Sequence, residues 1–357
     1  MKKPNIVAQG AYGCVHKPSL TCKKNKNKNI TYKKKVSKVM KTYYAYDELE
    51  EYKYMKEIDP TNKYHLGEPE LCEVEMSKQN KTAIQKCELS KNKDIEKIMG
   101  ELSLLVMYDG GYDFEKYGNM MSREPVTATN VNKIKMFWIE ALTLLRGLKT
   151  MKENNICHHD LKNTNVVYDP KKNKCNFIDF GKMEYIPNSI VLCSDDNYKN
   201  NRNWWSYPLE TCMTLKMDYN RIKMLEMEEK QLFVQNLVNT LVENRILPNF
   251  FLTVYIRTKK DKNEYIKEFS NFVLNDMNGV NYDKFIKMYF EKIDIFGMGL
   301  AYISVLYKTK KFLPNTFFKK MRVLCYKMFA ANILERITIE DAIQEYQTIL
   351  NEFETNK

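Results

Sequence analysis

Three short stretches carry side chains suited to handling phosphate and a hard cation. Ala8-Gln9-Gly10-Ala11-Tyr12-Gly13-Cys14-Val15 sets two glycines between flanks that favour strands. Glycine has no Cβ, so the amides of Gly10 and Gly13 are free to approach anionic oxygens. His158-His159-Asp160-Leu161-Lys162-Asn163-Thr164-Asn165 and Asp179-Phe180-Gly181 bring Asp160, an acid suited to proton handling, and Asn165 and Asp179, whose oxygens are the ligand type a hard cation prefers. Asn165 follows Asp160 by five residues and Asp179 follows it by nineteen. Lys38 and Lys162 add positive charge. Singly, each stretch reads equally well as a turn rich in Gly and Asx residues. Their joint occurrence in this order, behind a strand-rich segment, singles them out.

Together they resemble the signature of the eukaryotic-type protein kinases: a Gly-rich loop, a strand lysine, H-R-D-L-x-x-x-N and D-F-G. The resemblance implies an ATP- and Mg2+-dependent serine/threonine kinase that transfers the γ-phosphoryl group of ATP to protein hydroxyls. Such transfer needs positioning and charge neutralisation more than covalent work. Under that reading Val7, Ala8, Gln9, Gly10, Ala11, Tyr12, Gly13, Cys14 and Val15 cover the nucleotide, and Lys38 in V-S-K-V pairs with its α- and β-phosphates. Asp160 orients or accepts the proton of the substrate hydroxyl, Lys162 stabilises charge on the transferring phosphate, and Asn165 and Asp179 hold Mg2+. Lys162 also favours Ser/Thr over Tyr substrates. Met107 falls beside the adenine pocket, Tyr108 and Asp109 open the hinge, and Asp113 is a candidate ribose contact. Lys38 needs a carboxylate. Glu51 is the choice, because Met55 and Ile58 follow at +4 and +7 and set the acid beside an apolar stripe; Glu48 and Glu50 are rivals, and a plain surface acid is the alternative.

Further marks extend the likeness from Val7 to about Leu350. Tyr207-Pro208-Leu209-Glu210 is similar to the A-P-E segment that closes the activation loop. The stretch from Asp294 to Gly299 is similar to the D-x-W-x-x-G that starts the central helix of the large lobe. Arg336 matches the late arginine, which implies a Glu210–Arg336 bridge. Departures are Ala8 for the first loop glycine, His159 for the H-R-D arginine, Y-P-L-E for A-P-E, and 83 residues between Glu210 and Asp294. Histidine lacks the arginine fork that reads a loop phosphate, so activity without loop phosphorylation is expected. The style of the Gly-rich loop and the I-D-P after the first helix resemble the serine/threonine kinases of large nucleocytoplasmic DNA viruses. That implies action in the host-cell cytoplasm or the virion. A pseudokinase scaffold is the competing class, disfavoured by the presence of Lys38, Asp160, Asn165 and Asp179. A small-molecule or lipid kinase is a third, which fold alone does not separate.

Elements that would position these residues can be read from periodicity. Val7–Val15 reads as strand, turn and strand, and Tyr32–Met40 as a strand. Asp47–Ile58 has helical spacing at Leu49, Tyr52, Met55 and Ile58, stopped by Asp59-Pro60. Residues 71–76, 82–89 and 102–108 are candidate strands, with a break at Gly110-Gly111. Asn130 is a candidate cap for a helix running to about Asn154, with Ile134, Phe137, Trp138, Ala141, Leu142, Leu145 and Leu148 on one face. Ile222–Val242 reads as one amphipathic helix, and Phe250–Arg257 as a strand or buried helix. A strand-rich first third and a helix-rich remainder indicate an α+β chain of two unlike lobes, and the resemblance implies a bilobal kinase-like fold. Its small lobe would span residues 1–109 and its large lobe 110–357, with an insert at about 211–285 that packs and in part docks partners. No internal repeat is visible.

Composition bounds the rest. The apolar content of 44% argues against a disordered chain. The longest apolar run, Ile295–Tyr307, is 13 residues, too short to span a membrane. The start lacks the apolar core of a secretory signal, so an intracellular protein is expected. Nine cysteines without a C-x-x-C pair give no support for a disulfide framework or zinc ribbon, and reduced, packed thiols are expected. Adjacent His158 and His159 are poor zinc ligands. The net charge of +12 is concentrated at Lys23–Lys41, a candidate nucleic-acid patch. The absence of Arg and the alternation with Asn favour a solvated loop in an A+T-coded, Lys/Asn/Ile/Tyr-rich chain.

Overall fold

The five strands of the N-terminal sheet run antiparallel to their neighbours, in the order β1-β2-β3-β5-β4. They are β1 (Asn5–Gln9), β2 (Gly13–Lys17), β3 (Lys35–Lys41), β4 (Glu70–Glu73) and β5 (Leu102–Tyr108). Helix α1 (Thr42–Ile58) follows β3 without a loop, and α2 (Lys78–Ile84) and α3 (Ile95–Met99) precede β5. This is a computed structural model, and it describes residues 3–10, 12–23, 30–195, 198 and 204–355. Ala11, Lys24, Lys26 and Lys28 lie outside the described residues.

The chain divides into two compact units, Met1–Gly110 with Ile178–Gly181, and Gly111–Phe177 with Lys182–Lys357. In the first, strand alternation sorts the sheet into two faces. Cys14, Val39, Leu104 and Val106 join Ala83, Ile84, Cys87, Ile98 and Met99 in one apolar cluster. Met40, Leu105 and Ala45 of α1 form the other, with Met107 packed against it. Lys38 shares the parity of Met40 and so faces α1. Gly13 lies opposite Met40 in β3, and a Cβ there would sit 2.4 Å from the Val39 carbonyl oxygen. Its lack of a side chain is therefore demanded by sheet packing.

Several expected elements differ. Residues 82–89 are not a strand: Ser77 accepts the Asn80 N–H and starts α2, and a 3-10 turn follows at Glu88–Ser90. Burial of Ala83, Ile84 and Cys87 against the sheet overrides the apparent alternation. The strand expected at 71–76 is only Glu70–Glu73. Helix α1 begins at Thr42, five residues before the expected Asp47. The expectation of reduced cysteines also fails in this unit. Cys14 bonds to Cys87 and Cys22 to Cys72, with Cα–Cα distances of 6.1 and 5.7 Å. Free thiols are Cys157, Cys175, Cys193, Cys212 and Cys325, all in the second unit.

That unit is mostly helical. It begins with β6 (Tyr112–Asp113), α4 (Phe114–Arg123) and the long α5 (Ala128–Glu153). Strands β7 (Ile156–Cys157), β8 (Val166–Asp169), β9 (Lys174–Phe177) and β10 (Glu184–Tyr185) follow, then α6 (Ile186–Cys193). β7 pairs with β10, and β8 lies between β6 and β9. The remaining helices are α7 (Lys216–Met224), α8 (Met227–Glu243), α9 (Ile246–Thr253), α10 (Lys259–Asn271), α11 (Tyr282–Thr309), α12 (Asn315–Met328) and α13 (Ile339–Thr355). The expected α5 stripe from Ile134 to Leu148 is buried, but the cap is Thr127, which accepts the Asn130 N–H. Tyr302 and Tyr346 donate hydroxyl protons to the Ala141 and Trp138 carbonyls and tie α11 and α13 to it.

The segment expected as one helix at 222–242 is two. A capping box between Glu226 and Glu229 starts α8 afresh after α7 ends. Phe250, expected in a strand or buried helix, lies in α9 and stacks on Phe296 of α11 at 6.0 Å. This part of the long insert packs on the core. Helix α11 starts well before Asp294, so that residue is mid-helix rather than at a helix start. Among the described residues no helix is long and apolar enough to cross a membrane.

Gly297 shows how closely α11 approaches its neighbours. A Cβ at this position would lie 2.4 Å from the Leu161 carbonyl oxygen and 2.7 Å from its Cβ. Gly297→Ala is therefore expected to destabilise the protein by roughly 1–3 kcal/mol, the range for overpacking a filled core. Urea unfolding measures it, and an unchanged midpoint would contradict the contact.

Candidate functional site

In the first unit the turn between β1 and β2 is closed by the Gly10 N–H donating to the Gly13 carbonyl at 2.9 Å. Val7, Ala8, Gln9 and Gly10 are exposed, and Val15 is half-buried. Tyr12 is exposed, its ring edge-on to Tyr44 at 4.8 Å. Cys14 differs: its side chain is fully buried and bonded to Cys87, so only its backbone faces the outer side of the hairpin. A Cβ at Gly10 meets nothing within 4 Å.

Behind it lies Lys38. Its Nζ donates to Glu48 Oε2 at 2.5 Å and to Asp179 Oδ1 at 2.7 Å. Lys38 is 14% exposed, Glu48 4% and Asp179 44%. Burial alone would depress the ammonium, but Asp179 and Glu48 outweigh it and hold Lys38 above its ordinary range. Burial pushes the Glu48 carboxyl up, with Lys38 pulling against it. The Lys38 carboxylate partner on α1 is thus Glu48, one turn before the expected Glu51. The reason lies in the buried stripe, which runs Ala45, Glu48, Tyr52, Met55 and leaves Leu49 and Glu51 half-buried at its flank.

Asp179 is held at φ +65°, a left-handed conformation uncommon for a side-chain-bearing residue. Its backbone is hydrogen-bonded to the Tyr52 hydroxyl. Phe180 is fully buried, edge-on to Tyr52 at 5.1 Å and to His65 at 6.4 Å. Tyr52 and His65 are the residues that sequence reasoning missed here. The signal for Tyr52 was its +4 spacing from Glu48. Met107 is half-buried beside Met40 and Leu105. Tyr108 is exposed, with the Lys35 ammonium 5.2 Å from its ring centre. Asp109 donates its N–H to the Lys34 carbonyl, and its carboxylate meets Lys17 at 2.5 Å.

In the second unit the loop between β7 and β8 brings Asp160, Lys162 and Asn165 together. Lys162 Nζ donates to both Asp160 oxygens, at 2.8 and 2.7 Å. Asn165 Nδ2 donates to the Asp160 carbonyl at 2.8 Å and to its Oδ2 at 2.9 Å. Asp160 is buried and multiply hydrogen-bonded, so its orientation is set. Asp294 of α11 anchors the start of the loop, accepting the His158 and His159 N–H groups at 2.7 and 2.9 Å. Burial raises the Asp294 carboxyl, against the pull of His158 and those two amides. His159 sits at φ +60°, and its Nδ1 is 3.1 Å from Glu184 Oε1 on β10. Asp113, expected near a ribose, caps α4 by accepting the Lys116 N–H at 2.7 Å. The bridge from Glu210 to Arg336 is present at 2.7 Å, both side chains fully buried.

Within the first unit Asp179 offers a partly exposed hard oxygen, and within the second Asn165 offers another, each of the ligand type Mg2+ takes. Among the described residues no group of three or more His, Cys, Asp or Glu forms a cage on its own. Mg2+ commonly takes one or two carboxylates and completes its shell with water and phosphate.

Glu48→Gln removes one of two carboxylates from a buried ammonium, with an expected loss of about 3 kcal/mol in urea unfolding. Glu51→Gln is expected to cost less than Glu48→Gln, because Glu51 is only half-buried and the ammonium of Lys38 meets Glu48 and Asp179 instead. Equal losses from the two substitutions would contradict the assignment to Glu48.

No protein-family model matches the chain. Over 46 residues, 13% of this chain, it is 46% identical to a protein of Dictyostelium discoideum named probable serine/threonine-protein kinase cdc7. The match spans 4% of that protein's length. Over that short stretch the chain is similar to a serine/threonine kinase.

Proposed function

We propose that this chain is an ATP- and Mg2+-dependent serine/threonine protein kinase. The observation that carries the reading is the Lys38 ammonium held between Glu48 and Asp179, in the same unit as the Gly10–Gly13 hairpin. A fixed cation in β3, paired across from Val15 of the hairpin's second strand, suits a nucleotide's phosphates. Asp160 takes the role of orienting the acceptor hydroxyl and receiving its proton, and Lys162 neutralises charge developing on the transferred group. Asn165 and Asp179 would hold Mg2+, which when bound neutralises phosphate charge. The short likeness to a serine/threonine kinase supports protein hydroxyls as acceptors.

His159 bears on regulation. Its ring meets the Glu184 carboxylate, and β10, which carries Glu184, pairs with β7. A carboxylate within the chain thus already occupies this histidine, and we extend the proposal to activity without loop phosphorylation. The family style of the hairpin extends it to an infected cell or a virion as the place of action. In the lysine-rich segment, a weak candidate for nucleic acid, some ammonium groups already have carboxylate partners. Lys23 pairs with Glu73, Lys35 with Glu70, and Lys38 is buried with its two carboxylates.

Asp160→Asn is expected to lower phosphate incorporation into protein acceptors by about 10²–10⁴-fold while ATP binding persists. Labelled ATP with parent and variant, read by phosphopeptide mass spectrometry, measures it. Phosphatase-treated parent is expected to keep its activity. Equal incorporation by parent and variant would overturn the kinase reading, and transfer to small molecules or lipids alone would overturn protein hydroxyls as its acceptors.

A further inference from the structure

Cystines are confined to the first unit. The Cys14–Cys87 and Cys22–Cys72 bonds both lie there, whereas the five free thiols lie in the second unit. Burial drives the Cys175, Cys212 and Cys325 thiols upward, leaving little of the reactive thiolate. The disulfide bonds of the chain are those of the four N-terminal cysteines.

Their positions are specific. Cys14 follows Gly13 in β2 and lies in register with Gln9 of β1 and Val39 of β3. Cys87 precedes the 3-10 turn at Glu88–Ser90, and the Glu88 N–H donates to Gln9 Oε1 at 3.4 Å. One covalent bond and one hydrogen bond thus join this turn to both strands of the Gly10–Gly13 hairpin. The second cystine joins the stretch after β2 to β4, where Cys22 also forms a bridge with Val74. Cys14, Cys87 and Cys22 are buried in the cluster around Val39, Ile84 and Leu104. The bonds span 73 and 50 residues, loops long enough for a cross-link to restrict the open chain substantially.

We propose that the Cys14–Cys87 disulfide is a clamp on the Gly10–Gly13 hairpin, that the oxidised form is the one competent for nucleotide, and that a dithiol reductant releases it. This rests on reading the hairpin as a phosphate-binding loop. In the release a reductant thiolate attacks one sulfur of the pair and forms a mixed disulfide. Its second thiol resolves that bond, and the reductant leaves as its own disulfide. Two electrons and two protons pass to Cys14 and Cys87, which end as thiols. Because both cysteines are buried, attack requires local opening of the hairpin. Nucleotide bound to the closed hairpin slows that opening, and reduction in turn weakens binding.

The test uses the full chain. Alkylation in denaturant without reductant is expected to label the five cysteines of the second unit and leave linked peptides 14–87 and 22–72. A fluorescent ATP analogue with Mg2+ is expected to bind the oxidised protein about tenfold more tightly than the dithiothreitol-reduced protein, since an unclamped turn must be ordered on binding. The Cys14→Ser/Cys87→Ser double variant should show the weaker affinity without reductant and no further loss with it. If that variant does not fold, the reduction series on the parent decides alone. Nine labelled cysteines, other pairings, or equal affinity of the two redox forms would overturn the clamp. No binding by either form would instead sink the nucleotide reading and the clamp's role with it, while the linked peptides still report the bonds.

Discussion

A lysine packed under a sheet keeps its charge only where carboxylates meet it. Lys38 has two, one from α1 and one from the Asp179-Phe180-Gly181 stretch, and much of the first unit is arranged to bring them there. β3 must be central so that Lys38 points at α1. α1 must follow without a loop so that Glu48 falls on the face toward the sheet. Residues 178–181 must group with this unit although their chain neighbours do not. Removing one carboxylate leaves a buried charge short of a partner, which is why this contact dominates the energetics of its surroundings.

The second unit solves a related problem by different means. A loop that carries Asp160 needs its backbone amides satisfied while its side chain stays aimed. Asp294 accepts the amides of His158 and His159 from mid-helix, and Gly297, less than a turn later, lets that helix come against Leu161. Lys162 and Asn165 then lock the Asp160 carboxylate from the loop itself. One helix, one acid and one glycine thus set the geometry of a loop with little regular structure.

Legibility in the sequence followed the range of the forces involved. The stripe of α5 and the strand Leu102–Tyr108 could be read because periodicity is local. Lys38 and the Asp160 group were singled out by their resemblance to a known signature rather than by periodicity. Glu48 was displaced by Glu51 because α1 starts five residues earlier than its apolar pattern shows, and three tyrosines at its head obscure the face. The strand expected at 82–89 became a helix and a turn because burial against the sheet outweighed alternation. The cystines left no sequence mark, since their partners are 73 and 50 positions apart and meet only through the sheet. His65 and Glu184 were invisible for the same reason: each matters through a contact made across the fold.

The most direct test of the account is calorimetric titration of ATP with Mg2+ into the parent protein and Lys38→Met. The account predicts measurable binding by the parent and a loss of about a hundredfold in the variant, with the variant still folded by circular dichroism. Equal affinities, with both proteins folded, would contradict it.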